Sequence, residues 1–220
     1  MTNNWWKIIA SVLVLYSIIA GLLFEVPQLP ILHETIRNIY FHVPMWFTMI
    51  ILYLISVIYS IKYLGSGKEN HDLIAVESVN TGVIFGFLGL LTGMVWAKYT
   101  WGDPWPNDPK LNSAAISTLM YLAYIVLRNS LEEEQKRARI SAIYNIFAFP
   151  VMIVLLFILP RLTDSLHPGN GGNPGFGGYD LDHIMRLVFY PACVGWILIG
   201  VWIATLRYRI RKIENKQQVF

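Results

Sequence analysis

This sequence predicts an all-α integral membrane protein with six transmembrane helices. Hydrophobic residues make up 55% of the 220-residue chain and charged residues only 14%, whereas a soluble domain carries about 25% charged residues. The hydrophobic residues are gathered into runs that reach the ~20 residues a helix needs to cross the bilayer core. Strands of a membrane barrel would instead alternate between polar and apolar residues over about 10 positions. Helices, which satisfy their backbone hydrogen bonds internally, are therefore the expected spanning elements.

Six runs are long enough to span a membrane, and we expect residues 1–220 to form one membrane domain around them. The predicted spans are 5–24, 41–63, 80–98, 113–131, 140–160 and 184–206. The first run is followed by the stretch "FEVP", which lacks the small residues of a signal-peptidase site, so we expect this run to remain as an anchor. The single cysteine, Cys193, excludes a disulfide framework within the chain.

The distribution of the 17 Lys and Arg residues sets the expected orientation. Most of them lie at the start of span one, at and between the facing ends of spans two and three and of spans four and five, and after span six. Because Lys and Arg accumulate on the cytoplasmic side of membrane proteins, we expect both termini to be cytoplasmic. The other connections then face outward, to the periplasm or its equivalent.

The outward connection between spans three and four is rich in tryptophan and proline. It lies within residues 99–112 and contains the stretch "TWGDPWPNDPKLN", with Trp101, Trp105 and Asp108. Tryptophan gathers at membrane interfaces, so an aromatic belt is one explanation. Proline restricts its own φ and holds the preceding residue extended, and such rigidity favours a surface that is preorganised for docking. The residues alone leave both explanations open.

Histidines accumulate on the same outward side. The outward side holds His33, His42 at the outer end of span two, His167 and His183, and only His71 lies on the inner side. A lone interfacial histidine is usually bonded to water or a carbonyl, but imidazole is also a ligand for transition metals and haem iron. Two histidines beside an aromatic loop would suit a flat apolar macrocycle with an iron, and nearby cations would suit its carboxylates.

These motifs resemble the tryptophan-rich WWD domain of haem-handling membrane proteins, in particular the CcmC family. The family pattern Trp-Gly-x-x-Trp-x-x-Asp is met by Trp101, Gly102, Trp105 and Asp108. The stretch "RNIYFHVP" matches the family's Arg-x-x-x-x-His-x-Pro segment, and "SLHPG" followed by "LDHIMR" resembles its second histidine region. The resemblance runs from about residue 35 to the last span.

The chain departs from the family pattern at a few positions. Asn107 stands where the family commonly has another tryptophan, and Lys110 stands where an arginine is common. Lysine keeps the charge but loses the bidentate fork of arginine. Pro104 and Pro106 indicate a stiffer loop, and the glycine-rich stretch after His167 resembles an insertion.

The resemblance implies a haem-binding protein of the bacterial inner membrane that holds haem b transiently at its periplasmic face. It implies two axial ligands to the iron, His42 and His167, and a surface formed by Trp101, Gly102, Trp105 and Asp108. Arg37 and Lys110 are then candidates for contacts with the propionates or the partner. The implied partners are a CcmE-type haem chaperone and membrane components of the CcmA, CcmB and CcmD types. The implied role is cytochrome c maturation by haem delivery, without enzymatic catalysis.

Two other functions remain as alternatives at this stage. A membrane b-type cytochrome would carry haem as a permanent redox centre, but such proteins place histidine pairs deep within helices, and residues 47–64 and 185–207 contain no histidine. A permease would be expected to carry charges near the membrane midplane, and the predicted spans have essentially none at their centres. His183 is the alternative to His167 as second ligand.

Overall fold

The computed structural model describes residues 4–167 and 181–217, and its helices confirm the all-α fold with six candidate membrane spans in that part of the chain. The helices are α1 (Trp5–Leu23), α2 (Ile39–Ser66), α3 (Glu69–Trp101), α4 (Pro109–Asn129), α5 (Glu134–Leu162) and α6 (His183–Gln217). A 3₁₀ turn, His33–Asn38, leads into α2. A π-helical segment, Val154–Ile158, interrupts α5. The glycine-rich insertion expected after His167 lies outside the described residues.

Two helices are longer than the hydropathy pattern indicated. Helix α3 begins at Glu69 rather than at residue 80, and α6 continues to Gln217 rather than ending at residue 206. The early part of α3 carries Asp72 and Glu77, which hydropathy assigns to a connection. Both are buried and paired with arginines from other helices, and a buried charge is tolerated when it is paired in this way.

The tryptophan-rich loop is shorter than the predicted 99–112. Helix α3 extends through Trp101 and α4 begins at Pro109, so the loop comprises residues 102–108. Gly102 ends α3 with φ of 84°, a left-handed conformation that glycine adopts without a steric penalty. Asp108 is the N-cap of α4, and Pro109 occupies the first helical position, where its missing N–H costs nothing.

A row of glycines on α3 packs against α2. The pairs across the interface are Gly82 with Tyr53, Gly86 with Met49, Gly89 with Trp46, and Gly93 with His42. A Cβ at Gly93 would lie 2.7 Å from His42 Cε1. Small residues let membrane helices approach closely, so this glycine row fixes the position of His42 against α3.

The alternating direction of the helices gives the bundle two chemically different ends. One end is formed by the ends of α1, α3 and α5 and the starts of α2, α4 and α6. We call it the histidine end, because His33, His42, His167 and His183 lie there. We call the other the ion-pair end; its pairs are Asp72–Arg128 and Glu77–Arg207.

Candidate functional site

His42 lies near the start of α2 and is held by α3. Its Nδ1 atom lies 3.1 Å from the hydroxyl oxygen of Thr92, and that hydroxyl is 2.7 Å from the carbonyl oxygen of Leu88. The indoles of Trp46 and Trp96 meet the His42 ring edge to face, with ring centroids 6.2 Å and 5.7 Å away. The ring is therefore confined by aromatic neighbours and anchored through one nitrogen.

The hydrogen bonds of Thr92 determine the tautomer of His42. A threonine hydroxyl has one proton to donate, and the proton of Thr92 is directed to the backbone carbonyls of Leu88 and Gly89. A hydroxyl that donates to these carbonyls accepts from His42, an arrangement that favours the neutral ring with the proton on Nδ1 and the lone pair on Nε2. A lone pair on Nε2 is the arrangement that binds a metal ion.

Side-chain bonds close the loop at residues 102–108. The backbone N–H of Trp105 donates to Asp103 Oδ1 at 2.8 Å. The indole N–H of Trp105 donates to Asn112 Oδ1 at 3.2 Å, and the amide of Asn112 donates to Asn107 Oδ1 at 3.1 Å. Trp105 remains 36% exposed. The loop thus holds a partly exposed indole in a fixed orientation, and prolines are only part of the reason for its rigidity.

Asp108 joins this loop to the segment that follows α5. Its Oδ1 atom accepts from the backbone N–H groups of Lys110 and Leu111, which caps α4. Its Oδ2 atom accepts from the Ser165 hydroxyl at 2.8 Å and the Leu166 backbone N–H at 2.7 Å. The side chain of Asp108 is fully buried, so these bonds replace the water that a carboxylate requires.

His167 is the group that Asp108 orients. Nδ1 of His167 lies 3.0 Å from Asp108 Oδ1, and the ring meets Trp101 edge to face with centroids 5.1 Å apart. Burial by itself would raise the pKa of Asp108, but the hydrogen bonds from His167, Leu166 and Ser165 hold that pKa well below its usual range. Because an ionised carboxylate can only accept, His167 donates through Nδ1, and in the neutral ring the lone pair is then on Nε2.

The structure brings most of the expected site residues together. The rings of His42 and His167 meet Trp96 and Trp101, which both lie near the end of α3, and the backbone N–H of Lys110 donates to Asp108, the partner of His167. Arg37 lies in the 3₁₀ turn before α2, where it lines a cleft with Trp96 and donates to Glu34 at 2.6 Å and to the carbonyls of Gly21 and Phe24 at the end of α1. The alternative ligand His183 is exposed at the start of α6, and His33 is also exposed.

Sequence reasoning missed three residues of this region. Thr92 holds His42, Gly93 provides the space for its ring, and Ser165 supports Asp108. The spacing of Gly82, Gly86, Gly89 and Gly93 could have signalled a close helix contact. Thr92 and Ser165 carry no comparable signal, because hydroxyl residues also bond to their own helix backbone throughout this protein.

The fold and the site together define a multi-pass membrane protein with a two-histidine, tryptophan-lined site at one end of its helix bundle. The family model for CcmC, described as heme exporter protein C, matches residues 1–219. The chain belongs to the CcmC family.

Relatives agree with this assignment. The heme exporter protein C of Bradyrhizobium diazoefficiens is 25% identical over 191 residues, which cover 84% of this chain and 71% of that protein. The heme exporter protein C of Haemophilus influenzae is 25% identical over 83% of this chain and 73% of its own length. The cytochrome c biogenesis protein CcsA of Prochlorococcus marinus is 37% identical over 82 residues, which cover 37% of this chain and 26% of that protein.

Proposed function

We propose that this protein binds haem b at the histidine end and delivers it to a CcmE-type haem chaperone during cytochrome c maturation. The names of its relatives, heme exporter protein C and cytochrome c biogenesis protein, support haem as the cargo. The binding must be reversible, because the protein hands the haem on.

The observation that carries this proposal is the state of the two histidines. His42 and His167 come from different segments, and each ring is held through Nδ1, which in the neutral form leaves the lone pair on Nε2 for a ligand. Histidine nitrogen is a common axial ligand of haem iron, and a metal-binding histidine normally donates its other ring N–H to a protein acceptor. Both rings meet these conditions, so His42 and His167 are the proposed ligands.

The loop supplies the surface for the porphyrin. Trp101 and Trp105 offer large apolar faces, Gly102 allows the turn between them, and Asp108 fixes the loop against His167. Lys110 is the better placed of the two candidate cations for a propionate, since it lies in the first turn of α4 beside Asp108, the partner of His167. Arg37 already binds α1 and Glu34, so contact with a carboxylate or a partner would have to use its remaining donors.

The proposed setting is the bacterial inner membrane with both termini in the cytoplasm. The Lys and Arg distribution supports this orientation, which turns the histidine end to the periplasm. There a CcmE-type chaperone could reach the haem, and membrane components of the CcmA, CcmB and CcmD types would complete the assembly. Transfer of haem between ligands breaks no covalent bond of the porphyrin, so the role is that of a carrier rather than an enzyme.

The test is the visible absorption spectrum of the protein purified in mild detergent and reconstituted with haem. We expect a Soret band and the α and β bands of a six-coordinate, bis-histidyl haem. His42→Ala and His167→Ala should each weaken haem binding and remove the six-coordinate spectrum.

The controls are His33→Ala and His183→Ala, which remove exposed histidines from the same end of the bundle. Both should bind haem like the unaltered protein. Failure of the unaltered protein to bind haem would refute the function, and a normal spectrum in His167→Ala with a loss in His183→Ala would transfer the second ligand to His183.

A further inference from the structure

The two histidines are held by partners of different charge. Nδ1 of His167 lies 3.0 Å from the carboxylate of Asp108, which also accepts from three backbone N–H groups and a hydroxyl, whereas Nδ1 of His42 lies 3.1 Å from the neutral hydroxyl of Thr92. The distances are nearly equal, so the difference between the two rings is one of electrostatics rather than of contact.

This difference changes the donor strength of the rings. A carboxylate that accepts the Nδ1 proton raises the basicity of the opposite nitrogen, and a hydrogen bond to an ionised group is roughly twice as strong as one between neutral groups. A neutral hydroxyl has a weaker effect. Nε2 of His167 is therefore the stronger donor to a metal, and Nε2 of His42 is the weaker one.

Thr92 is itself fixed by its backbone. Its hydroxyl lies 2.7 Å from the Leu88 carbonyl and 3.1 Å from the Gly89 carbonyl, so its lone pair points away from its own helix, towards His42. Gly93, the next residue, leaves room for the ring, since a Cβ there would lie 2.7 Å from His42 Cε1. The pair Thr92–Gly93 thus sets both the tautomer and the position of His42.

We propose that Thr92 is the positioning residue of His42 and that it makes His42 the weaker, more readily released of two unequal ligands, while Asp108 makes His167 the retained ligand. This inference rests on the proposed function as far as haem is concerned. With haem bound, His42 would be the ligand that a group of the acceptor displaces more easily, and His167 would be the ligand that is kept.

The first test needs no haem. We would label the histidines of the full-length protein with ¹⁵N, assign the His42 resonances by their loss in His42→Ala, and determine which ring nitrogen carries the proton. We expect the Nδ1–H form in the unaltered protein and in Thr92→Ser, and a mixture of tautomers in Thr92→Val, which has the same shape without the hydroxyl. An unchanged tautomer in Thr92→Val would overturn the role of Thr92.

The second test measures haem affinity in a double-mutant cycle. We expect Thr92→Val to weaken haem binding about tenfold, Thr92→Ser to restore it, and Thr92→Val to add nothing in the His42→Ala background. We also expect His167→Ala to weaken binding about tenfold more than His42→Ala. Equal losses from the two histidine variants, or a larger loss from His42→Ala, would overturn the inequality of the ligands.

The two tests separate this inference from the function on which it depends. If the unaltered protein binds no haem, the proposed function fails, while the tautomer measurement still decides whether Thr92 positions His42. If haem binds and Thr92→Val matches the unaltered protein in both tests, only the inference fails.

Discussion

The two ends of the bundle treat their polar side chains differently. At the ion-pair end, Arg128 donates to both oxygens of Asp72, at 2.8 Å and 2.5 Å, and Arg207 donates to Glu77 at 2.8 Å. These carboxylates are 9% and 2% exposed. The pairs join α3 to α4 and α3 to α6, so each buried charge meets its counter-charge on a neighbouring helix.

At the histidine end, the residues that the structure describes satisfy the polar groups only in part. Asp108 uses both oxygens, but His42 and His167 are each held through Nδ1 and keep a lone pair on Nε2. The difference indicates that the two ends have different roles. Paired charges stabilise the arrangement of the helices, and half-satisfied rings leave bonding capacity for a ligand.

The largest effect on stability should come from the ion-pair end. Asp72→Ala would leave the charge of Arg128 buried without its partner, which typically costs about 3–5 kcal/mol in free energy of unfolding. The measurement is unfolding in mixed detergent micelles followed by tryptophan fluorescence. Arg137→Ala is the control, because its 3.7 Å pair with the exposed Glu134 should contribute at most about 1 kcal/mol.

The same variant tests the division between the two ends. The folded fraction of Asp72→Ala should bind haem with an unchanged Soret position and affinity. A shifted Soret band would mean that the ion-pair end also determines the geometry of the site, which would contradict separate roles for the two ends.

Asp108→Ala should give the next largest effect, and here binding and stability should fall together. Loss of the α4 cap costs about 1 kcal/mol, and each buried donor left without an acceptor costs about 1–3 kcal/mol. Haem affinity should also fall, by about 10- to 100-fold, because His167 loses its partner. Asp103→Ala is the matched control in the same loop, since that exposed carboxylate bonds to the Trp105 backbone. Equal losses of haem affinity in the two variants would show that the loop as a whole, and not the Asp108–His167 contact, determines haem binding.

Gly93→Ala should have a smaller effect that is concentrated on binding. The added methyl would meet the His42 ring, and overpacking of this kind costs about 1–3 kcal/mol. We expect weaker haem binding with most of the helical circular dichroism retained. Gly65→Ala is the control, because a Cβ there meets nothing within 4 Å. Full haem affinity in Gly93→Ala would show that the His42 ring can move without consequence.

The smallest effect should appear in the dependence of stability on pH. The pKa of Asp108 is depressed in the folded protein, so its ionised form stabilises the fold above the ordinary aspartate pKa of about 4. That contribution is lost as the pH falls below this value towards the folded pKa. The difference in melting temperature between the unaltered protein and Asp108→Asn should be constant from neutral pH down to about 4 and should shrink below it. A difference that shrinks already near neutral pH would contradict an ionised Asp108.

Much of this architecture follows from hydropathy, and the exceptions have physical causes. Apolar runs located all six helices, but Asp72 and Glu77 concealed the start of α3, because their counter-charges lie far along the chain, at Arg128 and Arg207. The sequence pattern assigns Trp101 to the loop, because tryptophan does not signal a helix boundary. Gly102 and Asp108 do mark the helix ends, because both are capping residues.

The candidate site was predictable where it has a motif. His42, His167 and Asp108 stand in recognisable stretches of the sequence, but the contact between Asp108 and His167 is visible only in the structure. Thr92 could not be found in this way, because its contact with His42 depends on the register between α2 and α3.

The glycine row has a consequence for how the protein responds to its lipids. Helices of 28 and 33 residues exceed the ~20 residues that cross a typical core, and such helices adapt to bilayer thickness by tilting. Because α2 and α3 interlock closely, they should tilt as one body and keep His42 and Thr92 together. His167 follows α5, so a change in membrane thickness should alter the distance between the rings of His42 and His167. Haem affinity measured in nanodiscs of short-chain and long-chain lipids would reveal this: a dependence on chain length is expected, while the His42 tautomer stays constant.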